Sequence, residues 1–346
     1  MLGIDLSDNH IKVVQLKPLG RGRFELEAGG IGEMPKVSFL SNDENEWLKV
    51  AEALKKVLAE ANVTTKEAVF ALPEASVFFT ILEIPLVPEE KISEVINLEA
   101  RRYIPFPVNE VELDWQILET NQKFLKGGST SGGKKIKLFL AAALKKTVEK
   151  YRRIAQLAGI DLKVIEVQVL ALERSLVPEN YEEPVLILEW GDSNVNFVIM
   201  ERGIPLFGKR LDLGSRLLND ELAKLLKIDL EKAKIMKERA SLSDIIAPGV
   251  TMQMALKKQL ESITFAINQA VTLFNERNKT KVHIVLLSGG GSLLKGLPEY
   301  LQTNLKDLKI HLANPWQNIE IDPNLKLQLQ KTAPQFSVVV GLAKRD

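Results

Sequence analysis

Residues 2–6 and 11–17 alternate apolar and polar positions around Ser7-Asp8-Asn9-His10, which predicts a β-hairpin with a four-residue loop. Phe24 to Ile31 continues as a third strand. From Trp47 to Ala61 the period becomes helical, with Trp47, Val50, Leu54, Val57 and Leu58 on one face. Ala68 to Leu72 is a short apolar strand. The same order returns further on. Val185 to Glu189 is a strand, Gly191-Asp192-Ser193-Asn194 a turn, and Val195 to Met200 and Pro205 to Leu211 are strands. Helices are expected at about 214–226, 229–240 and 251–278, a buried strand at Val282 to Leu287 and a helix at Ser292 to Leu301. In each half the first strand ends on an acidic residue, Asp5 or Glu189, which suggests an internal duplication.

A different segment separates the halves. Val77 to Ile84 is a strand, and Pro88 opens a helix that runs to about Tyr103. Pro105-Phe106-Pro107 ends it, since proline removes a donor and restricts the residue before it. Val111 to Leu118 and Ile136 to Ala142 are strands around a glycine-rich tip at Gly127 to Gly133, and Thr147 to Ala158 is a helix stopped by Gly159. The expected division is residues 1–75 with 161–183 as the first half, 76–160 as an inserted α/β unit, and 184–346 as the second half.

Composition narrows the chemistry. In 346 residues there are no cysteines, which removes disulfides and thiolate sites and fits a cytosolic setting. A net charge of +1 with Lys and Glu interspersed carries no basic stripe, so no nucleic-acid partner is expected. No apolar run nears the roughly 18 residues of a membrane helix.

The Asp5 turn, with Ser7, Asn9 and His10, can aim N–H groups and hydroxyls at phosphate. Glu189, Gly191, Asp192, Ser193 and Asn194 repeat the arrangement. Two facing acidic hairpins could hold a triphosphate and position Mg²⁺ through water, although the same residues also serve as ordinary turn formers. Ile284 to Leu287 runs into Ser288-Gly289-Gly290-Gly291-Ser292, where glycines permit close backbone approach and a helix N-terminus favours anions. The spacing is neither a Walker nor a Rossmann fingerprint.

The three motifs in this order resemble the actin, Hsp70 and sugar-kinase fold, a duplicated ribonuclease H-like bilobed α/β architecture. Within it, Leu82-Glu83-Ile84-Pro85, Glu99-Ala100-Arg101-Arg102-Tyr103-Ile104-Pro105-Phe106-Pro107, Asp114, Asn314-Pro315 and Val340-Gly341-Leu342-Ala343 carry a closer similarity. In these segments the chain resembles the PilM family of type IV pilus assembly proteins. That resemblance implies an inserted subdomain of the FtsA type, and ATP and Mg²⁺ in the cleft. The nucleotide would meet Asp5, Ser7, Asn9, His10, Lys12, Glu189, Gly191, Asp192, Ser193, Asn194, Gly214, Lys234, Lys237, Gly289, Gly290, Gly291 and Ser292, with the metal held through water by Asp5 and Glu189. It implies a scaffold, cytoplasmic and peripheral to the inner membrane through partners. That scaffold would bind the N-terminal cytoplasmic tail of a PilN-like membrane protein in a groove between the inserted subdomain and the first half, near Glu99, Tyr103, Pro105 and Phe106. The pilus assembly motor ATPase is a second expected partner. The family pattern has Gly at Ser7, a small hydroxyl residue at His10 and Asp at Glu189, so ATP binding with weak or absent hydrolysis is expected. A small-molecule kinase of the superfamily and a nucleotide-free adaptor are the alternatives.

Overall fold

The computed structural model describes residues 1–37, 43–73, 76–119 and 135–345; the tip at 127–133 lies outside them. The chain opens on an antiparallel meander of β1 (Leu2–Leu6), β2 (His10–Gly20) and β3 (Arg23–Glu33). Helix α1 (Glu44–Glu60) is capped by the Asp43 carboxylate and buries Val50, Ala51, Leu54 and Val57. It returns the chain to β4 (Glu67–Leu72), which lies parallel to β1, as a helical crossover allows.

The inserted unit is β5 (Val77–Pro85), α2 (Glu89–Ala100), β6 (Val111–Glu119) and β7 (Lys135–Leu144), with β7 between the other two strands. Strand β7 alternates: Leu138, Leu140 and Ala142 pack with Ile92, Ile96 and Ala100 of α2. Helix α3 (Lys145–Ala158) ends at Gly159, whose φ of 75° closes it in the left-handed region. The expected division gave α3 to the insert. Its Tyr151, Ile154 and Ala158 instead join Ile4, Leu54 and Phe70 in the core of the first half. Then β8 (Asp161–Val167) adds to the free side of β4, and α4 (Gln168–Leu176) follows.

The second sheet has the order β11-β10-β9-β14-β15. It contains β9 (Val185–Trp190), β10 (Val195–Glu201) and β11 (Ile204–Leu211), then, after α5 (Ser215–Leu226) and α6 (Leu230–Arg239), a small hairpin, β12 (Ile245–Ala247) and β13 (Val250–Thr251). Helices α7 (Met252–Ala255) and α8 (Lys257–Arg277) divide the single helix expected over 251–278. After β14 (Ile284–Ser288) the chain makes a 3-10 turn at Gly290–Leu293, and α9 (Leu297–Asn304) starts only beyond Gly296. The helix expected from Ser292 is therefore displaced. Gly296 at φ +86° and the Ser241–Lys295 bridge hold the chain out of helical geometry there.

β15 (Lys309–Leu312) completes the second sheet. The chain then recrosses: β16 (Ile319–Glu320) pairs with β3, and after α10 (Pro323–Lys331) the fully buried α11 (Ser337–Ala343) packs on β1, β2 and α4. Residues 319–343, grouped above with the second half, thus complete the first sheet. Glu166 of β8 pins this return. Its buried carboxylate takes Arg174 at 2.8 Å and also Arg345 at the chain's end.

Candidate functional site: a two-loop cleft and an open groove

The two halves meet through their hairpin loops. In the first, the Ser7 amide and hydroxyl both donate to the His10 carbonyl, each at 2.9 Å, so the hydroxyl is occupied by its own turn. In the second, the Gly191 amide donates to the Asn194 carbonyl at 2.9 Å. The Asn9 side-chain amide donates to the Asp192 carboxylate and ties the loops together.

Behind each loop the acid at the end of the first strand faces a residue directly across the ladder. Asp5 stands opposite Lys12, their side chains 3.3 Å apart and Asp5 only 4% exposed. Glu189 stands opposite Asn196, whose amide donates to it at 3.3 Å. The duplication is thus chemical as well as topological: one acid has a cation, the other an amide. Asp5 Oδ1 and Asn196 Oδ1 are buried without a partner. Burial raises the pKa of Glu189 to about 7 against the pull of Lys12, with Asp5 also raising it.

That shift fixes a sign. A carboxyl raised from 4.5 to about 7 in the fold takes up protons more readily folded than unfolded. Its contribution to stability is full below about pH 4.5 and lost as pH rises through 7. Glu189→Gln stays neutral throughout. The melting temperature of the wild type, without nucleotide, should fall relative to Glu189→Gln between pH 5 and 8; a constant difference over that range would show no such shift.

The other expected residues converge here. Lys237 donates to the Ser215 carbonyl at 3.1 Å, and the Ser215 hydroxyl reaches Asp192 at 3.4 Å. Burial first, then Lys12 and Lys234, lowers the pKa of His10, against Asp192 and Glu33. Gly214 has a packing reason: an added Cβ would lie 2.0 Å from the Asp192 carbonyl. The Ser215 and Arg216 amides donate to the Gly191 and Asp192 carbonyls, so the start of α5 is spent on this loop. Ser193 and Asn194 are half-buried in the same turn.

The glycine turn follows Ser288, which pairs with Glu189 in register. Two of its glycines answer to Trp190, whose ring is fully buried. A Cβ on Gly289, at φ +82°, would lie 2.4 Å from the Trp190 carbonyl, and one on Gly291 2.4 Å from the indole. Gly290 is exposed and meets only Gln335 at 3.8 Å. Gly291→Ala is expected to cost about 2 kcal/mol by overpacking, against a few tenths for Gly290→Ala. Equal urea midpoints for the two variants would contradict this. Ser292 is buried and donates to the Ser288 carbonyl.

Two side chains that the sequence reading passed over belong here. Asn196 is a buried polar residue inside the apolar run Val195–Met200, a signal that was available. Tyr151 on α3 is fully buried with no partner for its hydroxyl. Burial raises its pKa, and the charges of Asp5 and Asp8 add to the shift.

A second feature lies elsewhere. A groove of about 1130 Å³ separates the insert from the first half. Strands β6 and β8, each the outer strand of its sheet, run along it. Phe139, Ala141 and Ala143, the face of β7 turned away from α2, form part of its floor. Arg202 to Pro205 of the second half close one side. Glu99, Tyr103, Pro105 and Phe106 do not line it. Glu99 pairs with Arg102 at 2.9 Å, Tyr103 and Pro105 are exposed, and Phe106 packs half-buried on the insert's own core.

Among solved structures the chain resembles a PilM-PilN type IV pilus biogenesis complex, with 25% identity, a TM-score of 0.83, and 99% of this chain and 97% of that one covered. The ethanolamine utilization protein EutJ from Carboxydothermus hydrogenoformans aligns at 14% identity and TM-score 0.58 over 99% and 88% of the two chains. MreB5 of Spiroplasma citri bound to ADP aligns at 11% and 0.55 over 98% and 94%. These two show the fold alone, which is actin-like. Residues 3–346 match the family described as type IV pilus assembly protein PilM. The chain belongs to the PilM family of type IV pilus assembly proteins.

Proposed function

We propose that this protein is a nucleotide-binding scaffold of a type IV pilus inner-membrane platform, whose groove holds the N-terminal cytoplasmic tail of a PilN-type membrane protein. The observation that carries the reading is the groove. Two strand edges that are unpaired among the described residues flank an apolar floor, so an extended tail can add to an edge while alternate side chains settle on Phe139, Ala141 and Ala143. The similar structure is a PilM-PilN complex, which supports a tail of this kind as the occupant. The docking surface is thereby drawn to the groove and away from Tyr103 and Phe106. Among the described residues no helix is long and apolar enough to cross a membrane, so the partner's span would supply the membrane attachment.

The cleft would take ATP with Mg²⁺. The neighbour MreB5 is bound to ADP, which supports a nucleotide in this fold. The residues fit the pair. Asp5 Oδ1 and Asn196 Oδ1 are unpartnered and buried, and Lys12 and Lys234 supply positive charge. Among the described residues no group of three His, Asp or Glu side chains gathers to ligate a metal. The donor set therefore suits a hydrated Mg²⁺ held through its waters by Asp5 and Glu189. Bound Mg²⁺ would offset phosphate charge; the chain itself orients the phosphates between its two loops.

Isothermal titration tests both halves of the reading separately. A synthetic peptide of the PilN-type tail should bind the full chain with micromolar or better affinity, and ATP with Mg²⁺ should give measurable binding heat both with and without that peptide. No heat with peptide would remove the groove assignment; none with millimolar nucleotide would remove the cleft assignment.

A further inference from the structure

We propose that occupancy of the cleft sets the shape of the groove, with strand β10 as the rod joining them, an inference that rests on the groove being the tail's docking site. The strand begins at Val195, directly after the second loop, and its next residue, Asn196, holds Glu189. Its far end is Glu201, and the turn beyond carries Arg202, Ile204 and Pro205 into the groove wall. Seven residues of strand span about 23 Å. Residues Val195 to Met200 are all buried between two antiparallel strands, in unbroken register with β9 and, up to a bulge at Ile199/Met200, with β11. A segment so held moves as one piece, so a change at the loop reaches the turn.

The groove is also divided among parts that a rotation of the halves would separate. Strand β8 belongs to the first half, β6 to the insert, and Arg202–Pro205 to the second half. The insert touches the second half directly: a Cβ on Gly208 of β11 would lie 2.7 Å from the Phe79 ring of β5. Helix α3 gives a second route. Its Tyr151 packs in the same core as Ile4, the neighbour of Asp5 on β1, while Val148 and Arg152 line the groove. The two loops are tied by the Asn9–Asp192 bond, so a ligand that changes the separation of the loops acts on that bond. Any ligand that changes the angle of the halves therefore repositions one wall of the groove against the other two.

The test is titration of the full chain with the tail peptide in three states: nucleotide-free, with Mg²⁺-ADP and with Mg²⁺-AMPPNP. The peptide Kd is expected to differ by about fivefold or more between the free state and one nucleotide state. The nucleotide that shifts it, titrated into peptide-saturated protein, must then show the same factor, because binding coupling is reciprocal. In the double variant Arg202→Ala, Ile204→Ala the factor should fall below about twofold, the wall having lost its contacts. Equal Kd in all three states overturns the coupling and leaves the docking site standing. A factor that survives the double variant unchanged overturns the assignment to β10 and its turn. Failure of the peptide to bind at all overturns this inference together with the docking site. The reciprocity measurement uses the wild type, so it decides the coupling even where the variant folds poorly.

Discussion

Gly341→Val should unfold the chain more readily than any other substitution considered, with a stability loss of about 3 kcal/mol. Gly341 lies inside buried α11, where glycine is itself unfavourable by about 0.5–1 kcal/mol relative to alanine. Its presence is explained by contact: an added Cβ would sit 1.8 Å from the Ala171 carbonyl oxygen and 2.9 Å from the Ala171 Cα. Those atoms are backbone of α4 and cannot rotate aside. The same helix is pressed from its other side by β1, where a Cβ on Gly3 would lie 2.3 Å from the Val339 carbonyl. Helix α11 is therefore held between two backbones and has no direction in which to yield. Its displacement would also break the Arg174 bond to the Gly341 carbonyl, 2.7 Å, and strain the pairing of Arg174 with buried Glu166. At about 2–4 °C per kcal/mol the melting temperature should drop by roughly 6–12 °C. A drop under about 2 °C in a calorimetric scan would show that α11 docks more loosely than this geometry requires.

Glycine also shows where sequence reasoning reached and where it stopped. A run of three glycines after a buried strand suggests close approach by something, and a ligand was the expected visitor. Much of the approach is internal: Gly289 and Gly291 make room for Trp190, and Gly290 alone faces outward. Local pattern cannot separate these cases, because the partner is a residue, backbone and indole together, of a strand paired beside the turn. Period-2 and period-3.6 patterns did place the meanders, α1, α2 and the second-half strands, since each of those elements buries one periodic face. The return of residues 319–343 to the first sheet was not readable. Its two-residue strand has no period, and α11 is apolar all round because it is enclosed on every side.

The cleft was largely readable in the residues themselves; a groove between the insert and the first half was expected only from the family resemblance, and the residues that line it were not readable, for a physical reason. Asp5 and Glu189 end apolar strands at turns rich in Asn, Asp and Ser, so both charge and turn chemistry mark them locally. The groove is made by the absence of neighbours. Strands β6 and β8 look like any other strands until topology leaves each at an edge. The Tyr103–Pro107 segment drew attention through its prolines and aromatics. Phe106 turns out to pack with Ile104 and Val111 on the insert's core.

Ala141→Trp should abolish tail binding while leaving the fold intact, with affinity lower by at least about 30-fold, the effect of losing one hot spot of ~2 kcal/mol. The argument begins with β7. Its residues alternate between Leu138, Leu140 and Ala142, which pack under α2, and Phe139, Ala141 and Ala143, which face the groove. An indole at 141 projects from the face of β7 turned away from α2 into about 1130 Å³ of groove, beside the core that holds Phe139 and Val167, against which Ala141 packs half-buried. The melting temperature should fall by less than about 6 °C, the effect of about 1.5 kcal/mol of local overpacking. Nucleotide binding at the cleft should also persist. Phe106→Ala is the matched comparison. It removes a half-buried ring from the insert's core, so it should cost about 2 kcal/mol of stability and shift tail affinity far less. Wild-type affinity in Ala141→Trp would exclude the groove as the docking surface. Lost binding in a folded Phe106→Ala protein would move that surface to the exposed Tyr103 face of the insert.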